Sequence, residues 1–232
     1  VRDPWPRSPH PDVLGYAVRD YGNRVGLWRM FDLTDDLNIP CTVSLSMTVI
    51  QHYPSILEAM EKRKWELMSH GIYNTRYTYG MSEDQEREMI LDSMDTIDRA
   101  VGKRPAGYLA PALSHSEVTL DLFAELGGLY TCDLFHDDQP TPVKVRRGSL
   151  VSLPYSMEIN DSIAWRRGQE AQAFAQKIRD EFDVLLVAAL RVVSEGEEAM
   201  LQKHNAFDAF LAQVGDVTVR QFRTDYEQIG VV

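Results

Sequence analysis

Three segments combine residue types that can do chemistry. The first is Ser69-His70-Gly71-Ile72-Tyr73-Asn74. A histidine at the end of an apolar stretch, followed by glycine, can turn its ring into the mouth of a site. Near neutral pH it can ligate a metal or move a proton. Asn74, four residues on, can share a ligand if the segment turns helically. The plain alternative is a buried histidine hydrogen-bonded to backbone. The second is Phe135-His136-Asp137-Asp138-Gln139-Pro140. Paired carboxylates can hold a divalent ion, orient a histidine or act as an acid/base pair, but they are also ordinary turn residues. The third is Pro154-Tyr155-Ser156-Met157-Glu158-Ile159-Asn160-Asp161. There Glu158, Asn160 and Asp161 can hydrogen-bond a polar substrate or simply form a solvated loop. His10, His52, His115 and His204 have no partner at ligand spacing. No G-x-S-x-G elbow, Walker loop or G-x-G-x-x-G occurs, which argues against serine hydrolysis and nucleotide chemistry.

These segments need elements to position them. Pro4, Pro6, Pro9 and Pro11 predict an irregular arm over about residues 1–20. Val25, Trp28, Phe31 and Leu33 recur at helical spacing. Ile39–Leu45 reads as a buried strand after the stop at Asn38. Pro54 opens a helix with Ile56, Leu57 and Met60 on one face, and Trp65–Met68 is the next strand. Ser82 with Gln85 forms a capping box for a helix carrying Met89, Ile90, Met94, Ile97 and Val101. Gly107–Ala110 is a short strand. Ser114 with Glu117 reads as a second capping box, for a helix ending at Gly127-Gly128. Leu129–Asp133 and Leu150–Tyr155 are further strands, and Phe174, Ile178, Phe182 and Leu185 mark a late helix. Strands alternating with helices over short connections imply parallel strands with crossover helices, with chemistry at the strands' C-terminal ends. His70, Pro111, Asp137-Asp138 and Glu158–Asp161 each follow a predicted strand.

Composition bounds the rest. The 232 residues suit one domain, and 44% hydrophobic with 25% charged residues is ordinary for a globular fold. A net charge of −11 argues against nucleic-acid partners. No apolar run nears the roughly 18 residues that span a bilayer, and no leader pattern opens the chain. Cys41 and Cys132, the two cysteines, form neither a metal spacing nor a disulfide framework. Both read as small buried strand residues in a reducing, cytoplasmic compartment.

Six pieces in order resemble one family. They are Asp20–Gly26, Ile39–Val43, Trp65–Gly71, Arg104–Pro111, Cys132-Asp133 with Asp137–Pro140, and Pro154–Ser156 with Glu158–Asp161. Over about residues 12 to 185 the chain is similar to the NodB-type polysaccharide deacetylase superfamily, nearest its intracellular allantoinase-like branch. The resemblance implies an α/β fold: a distorted (β/α) barrel of seven or eight parallel strands, its first strand lying before Val1, in a single domain over 1–232. It implies hydrolysis of carbon–nitrogen bonds other than peptide bonds, on an N-acetylated sugar or a small amide. His70, Asp137 and Asp138 would be catalytic. Asn74, Pro111, Glu158 and Asp161 would bind substrate. A divalent metal such as zinc would sit on His70 or be dispensed with, as in metal-independent allantoinases.

The chain also departs from that family. Asn74 stands where the second histidine of a His-x-x-x-His pair is found, and asparagine is a weak zinc ligand. Leu109 replaces an arginine. The acid of the first strand and the late Leu-His-Pro segment are not recognisable, and Val187–Gln202 is instead rich in Glu, Val and Ala before resemblance resumes at Ala206–Leu211. A catalytically impaired member that binds sugar or amide is therefore the alternative. A homo-oligomer, with the proline-rich arm wrapping a neighbour, is the expected assembly.

Overall fold

The structure, a computed structural model, describes residues 13–195. They belong to two compact units. One holds the chain up to Thr131 together with Lys144–Leu150; the other holds Cys132–Val143 and the residues from Val151 onward.

The first unit contains α1 (Val13–Tyr21), a π-turn (Gly22–Gly26), α2 (Leu27–Asp36), β1 (Thr42–Leu45), α3 (Met47–His52) and α4 (Pro54–Lys62). It continues with β2 (Glu66–Ser69), α5 (Glu83–Val101), β3 (Gly107–Tyr108), α6 (Thr119–Glu125) and β4 (Tyr130–Thr131). Its strands lie in the order β1-β2-β3-β4, and each neighbouring pair is parallel. Parallel neighbours cannot be joined by a tight turn, so a helix bridges each pair. The register sets Leu45 beside Ser69 and Ser69 beside Tyr108, so β1, β2 and β3 end level.

Phe31, Leu45, Ile56, Leu57 and Met60 form a buried cluster that seats α2 and α4 against the sheet. Trp65 and Trp28 pack on the Phe31 ring at centroid distances of 5.2 and 5.5 Å. Arg63 lies 4.4 Å over the same ring and grips Asp35 through Nε and Nη2 at 2.8 and 2.6 Å. That two-pronged geometry locks the end of α4 to α2. The capping box of α5 forms as expected: Ser82 Oγ accepts from Gln85 N–H, and Gln85 Oε1 accepts from Ser82 N–H.

The α/β class with parallel strands holds, with six strands among the described residues where seven or eight were expected. The second unit contains β5 (Thr141–Val143), β6 (Leu150–Ser152) from Val151 on, α7 (Asp161–Arg166) and α8 (Ala171–Glu195), with β6 beside β5. The start of the Glu/Val/Ala-rich stretch is thus the end of α8. His10, His204 and Ala206–Leu211 lie outside the described residues.

Several local expectations need correction. The predicted arm is helical from Val13, because no proline follows Pro11 to interrupt it. Ser114 caps nothing: its hydroxyl donates to the Pro111 carbonyl, and α6 begins at Thr119 without a side-chain cap. The cause is Glu86. This buried carboxylate of α5 accepts hydrogen bonds from Ser116 Oγ and Thr119 Oγ1, which fixes where α6 starts. Cys41 and Cys132 are half-buried beside strands rather than inside them, and burial pushes the Cys41 thiol above its ordinary pKa.

Candidate functional site

His70 is the first residue past β2. Its N–H bonds the Leu45 carbonyl at 3.0 Å, and the Leu109 N–H bonds the Ser69 carbonyl at 3.0 Å. The histidine therefore stands where three parallel strands end. Its half-buried ring is held on both sides: Nδ1 lies 2.6 Å from the Leu109 carbonyl and Nε2 lies 2.8 Å from Asn74 Oδ1. A carbonyl oxygen only accepts, so Nδ1 carries a proton. A neutral ring then offers a lone pair at Nε2, which the Asn74 amide meets with its nitrogen. A charged ring donates from Nε2 and meets the amide oxygen. Half a rotation of one amide thus serves both protonation states, which suits a proton-transferring group.

The ring's support is buried and polar. Gly71 N–H donates to Ser69 Oγ at 3.3 Å. Ser69 and Ser93 share a hydroxyl contact of 2.9 Å, and Ser93 Oγ donates to the Ile90 carbonyl at 2.8 Å. Both serines are fully buried. Each hydroxyl has one proton to give, so the chain runs one way, from the loop through β2 into α5. Gly71 has φ +68°, the left-handed turn that lifts the chain off β2, and Pro111 packs 3.4 Å from where its side chain would begin. Pro111, expected as a substrate contact, is buried under this turn. Just beyond it Ala112 and Leu113 have φ of 52° and 55°. Non-glycine residues in that region are strained, and such strain collects where a structure over-determines a loop.

The acidic segments lie in the second unit. Asp137 is exposed, and its carboxylate closes a local turn: it accepts from Gln139 N–H at 3.1 Å and Thr141 Oγ1 at 3.3 Å. The Gln139 N–H is the main reason its pKa falls below the ordinary value, with smaller help from Asp138 and Thr141. Asp138 and Glu158 are exposed. Glu158 contributes backbone contacts, its N–H to Ser156 Oγ and its carbonyl to Lys177 Nζ, both at 3.2 Å. Asn160 bonds Tyr155 Oη at 2.8 Å and accepts from Ile163 N–H at 3.2 Å, which caps α7, the helix that Asp161 opens.

The structure thus brings His70, Asn74 and Pro111 together within one unit. The supporting roles of the Leu109 carbonyl and of the Ser69 and Ser93 hydroxyls escaped the sequence reading. Ser93 did leave a signal, as a small polar residue inside the apolar stripe of Met89, Ile90, Met94 and Ile97. As a metal site the cluster is poor. It offers one imidazole and one amide, and no group of three His, Cys, Asp or Glu residues among the described residues can hold an ion.

The sequence profile described as polysaccharide deacetylase matches residues 16–130, the stretch that contains β1 to β4 and the His70 loop. The chain belongs to the polysaccharide deacetylase family. A peptidoglycan deacetylase of Helicobacter pylori is 30% identical over 152 residues, covering 65% of this chain and 50% of that protein. The solved structure of PuuE allantoinase superposes with a TM-score of 0.69 at 28% identity, over 75% of this chain and 59% of the other. A probable polysaccharide deacetylase from Pseudomonas aeruginosa PAO1 gives 0.64 at 31% identity, over 73% and 57%. This deacetylase-family chain spans about half the length of the curated relatives it matches, at 50% and 62% of theirs.

Proposed function

We propose that the chain is a deacetylase-type hydrolase that cleaves the carbon–nitrogen bond of an N-acyl sugar or small amide. One observation carries this reading: an imidazole at the C-terminal end of parallel strands, with its tautomer fixed by the Leu109 carbonyl and its Nε2 facing a reversible partner. In the reaction a water oxygen attacks the acyl carbon, the C–N bond breaks, and the leaving nitrogen takes a proton. His70 Nε2 supplies that proton. Asp137 or Asp138 takes the proton from water in this reading, and Asp137→Asn tests it. Asn74, beside the ring, binds substrate; Glu158→Ala and Asp161→Ala test whether those two residues contribute to binding, while the buried Pro111 supports the Gly71 turn instead. The donors around His70 favour catalysis without zinc, so dialysis against a chelator leaves turnover unchanged. Acetate and ammonia release from a panel of N-acetyl sugars, ureides and linear amides tests the whole reading. Release by the wild type that disappears in His70→Asn supports it, and a silent panel removes it.

A second reading, that of an impaired member that binds without turnover, is favoured by Asn74 standing in place of a second imidazole. Calorimetry that detects binding with no product would support it.

We also infer one domain, a cytoplasmic location, a homo-oligomer, and neither nucleic-acid nor membrane partners. The net charge of −11 supports the lack of a nucleic-acid partner, and among the described residues no helix is long and apolar enough to cross a membrane. Light scattering that returns a monomer at micromolar concentration would remove the oligomer.

A further inference from the structure

The buried face of α5 is apolar apart from two residues. Met89, Ile90, Met94 and Ile97 fill it, and Glu86 and Ser93 interrupt it two turns apart on the same side of the helix. A polar group on such a face is costly unless it is bonded. Ser93 reaches the loop after β2, where through Ser69 it supports the Gly71 N–H. Glu86 reaches the loop after β3. These are the two loops that hold the His70 ring: one carries it, and the other supplies the Leu109 carbonyl to Nδ1.

Glu86 is 1% exposed and has no ion pair among the described residues. Its oxygens accept from Ser116 Oγ at 2.7 Å and from Thr119 Oγ1. Backbone donors face both hydroxyl oxygens: Ser116 N–H bonds Thr119 Oγ1 at 2.8 Å, and Val118 N–H bonds Ser116 Oγ at 3.2 Å. Each hydroxyl's one proton is therefore turned to the carboxylate.

What this anchor holds is a taut segment. Beyond Leu109 the chain makes a tight turn at Pro111–Leu113. Leu113 N–H bonds the Ala110 carbonyl at 2.9 Å, and Ser114 bonds the Pro111 carbonyl through N–H at 3.1 Å and Oγ at 2.7 Å. The left-handed angles of Ala112 and Leu113 persist only where the surroundings hold the chain at both ends. One end is Leu109, whose N–H bonds the Ser69 carbonyl. The other is the pair of bonds to Glu86. Released there, the segment would relax toward ordinary angles, drawing the Leu109 carbonyl from the ring and Pro111 from Gly71.

We propose that Glu86 is a positioning residue for His70: by fixing the far end of the Leu109–Thr119 segment it sets the direction of the imidazole and its Nδ1–H tautomer. Ser93 acts on the other loop, so one helix aligns the ring from both sides. The inference rests on the hydrolase reading for its catalytic consequence; the effect on the ring stands without it.

Nitrogen-15 NMR of the full chain labelled at histidine reads the ring directly, at about pH 8, where an ordinary imidazole is neutral. The His70 signals are those missing in His70→Asn. In the wild type they report the Nδ1–H tautomer. In Glu86→Gln, which turns an N–H donor toward one of the hydroxyls, the Nε2–H tautomer appears beside it. Ser116→Ala, a milder change that removes one of the two donors, shifts the signals the same way and carries the test if Glu86→Gln does not fold. Met60→Ala opens a cavity in the buried cluster under α4; it lowers the melting temperature and leaves the His70 signals in place, which separates positioning from general loss of stability. An unmoved tautomer in the folded Glu86→Gln or Ser116→Ala chain overturns the proposal. Turnover read in parallel separates the two readings. On an accepted amide, Glu86→Gln lowers kcat about 100-fold with KM unchanged, the scale of a group misplaced by about 1 Å. A shifted tautomer in a chain whose wild type releases no product keeps the positioning role and removes the hydrolase. Turnover by the wild type with an unmoved tautomer in the variants does the reverse.

Discussion

The loops that follow β2 and β4 both carry a titratable residue past a strand end, and they hold it by opposite means. His70 is gripped by a carbonyl 39 residues away, just past the neighbouring strand β3, and beside it lie two buried serines. Asp137 is gripped by groups two and four residues along its own chain, in solvent. The first arrangement fixes a ring at a chosen place relative to the fold. The second is a turn that any exposed Asp-Asp-Gln-Pro-Thr segment can make for itself. Proximity to a strand end therefore does not by itself mark a working residue; what matters is whether distant parts of the chain converge on it.

The contrast can be broken most directly at His70. His70→Ala is expected to lower turnover of an accepted amide by about 10²–10⁴-fold, the usual worth of a positioned acid/base group; a loss under threefold would put His70 with the ordinary residues. Next comes the sheet that presents it. A Cβ at Gly107 would overlap the buried ring of Tyr130, whose hydroxyl bonds Glu66 at 2.9 Å. Gly107→Ala should cost about 2 kcal/mol in a denaturant titration, as overpacking does, and a neutral result would mean that β3 and β4 pack less closely than described. Ser93→Ala strands the buried Ser69 hydroxyl and should cost roughly 1–2 kcal/mol. It should also loosen the Gly71 turn, seen as faster amide exchange at Gly71. Asp137→Asn, an exposed change, should move stability by less than about 0.5 kcal/mol. If activity falls while stability holds, Asp137 joins the chemistry; if both hold, it is only a turn.

The smallest expected effect concerns Glu125. Arg87 Nη2, 2.5 Å away, keeps this carboxylate below its ordinary pKa of 4.5. A lowered folded-state pKa stabilises above the unfolded value and ceases to do so as pH falls through the folded one. The wild type should lose stability on acidification below about pH 4.5. Glu125→Gln should show a shallower loss there, in thermal melts between pH 3 and 6. Identical slopes would mean that the pair is fully screened.

Much of this was legible beforehand because it is local. The α5 capping box needs only Ser82 and Gln85, three residues apart. The parallel class follows from alternating strand and helix patterns. The His-Gly pair at a strand end can be read from four residues. The start of α6 could not be read this way: Ser114 and Glu117 satisfy the capping pattern, but a buried carboxylate from α5 claims Ser116 and Thr119 instead. A local rule fails where a partner from another element offers a better bond.

By itself, the sequence determined that helices would separate parallel strands and that an imidazole would sit past the second of them. Periodicity and turn chemistry act over a few residues, and no packing is needed to state them. Only the tertiary structure decided that the Leu109 carbonyl would take the Nδ1 proton, that Ser69 and Ser93 would meet, and that Glu86 would reach the loop after β3 from the same face of α5. Each of these depends on register between strands or on the seating of α5, and register is settled by the burial of whole faces at once.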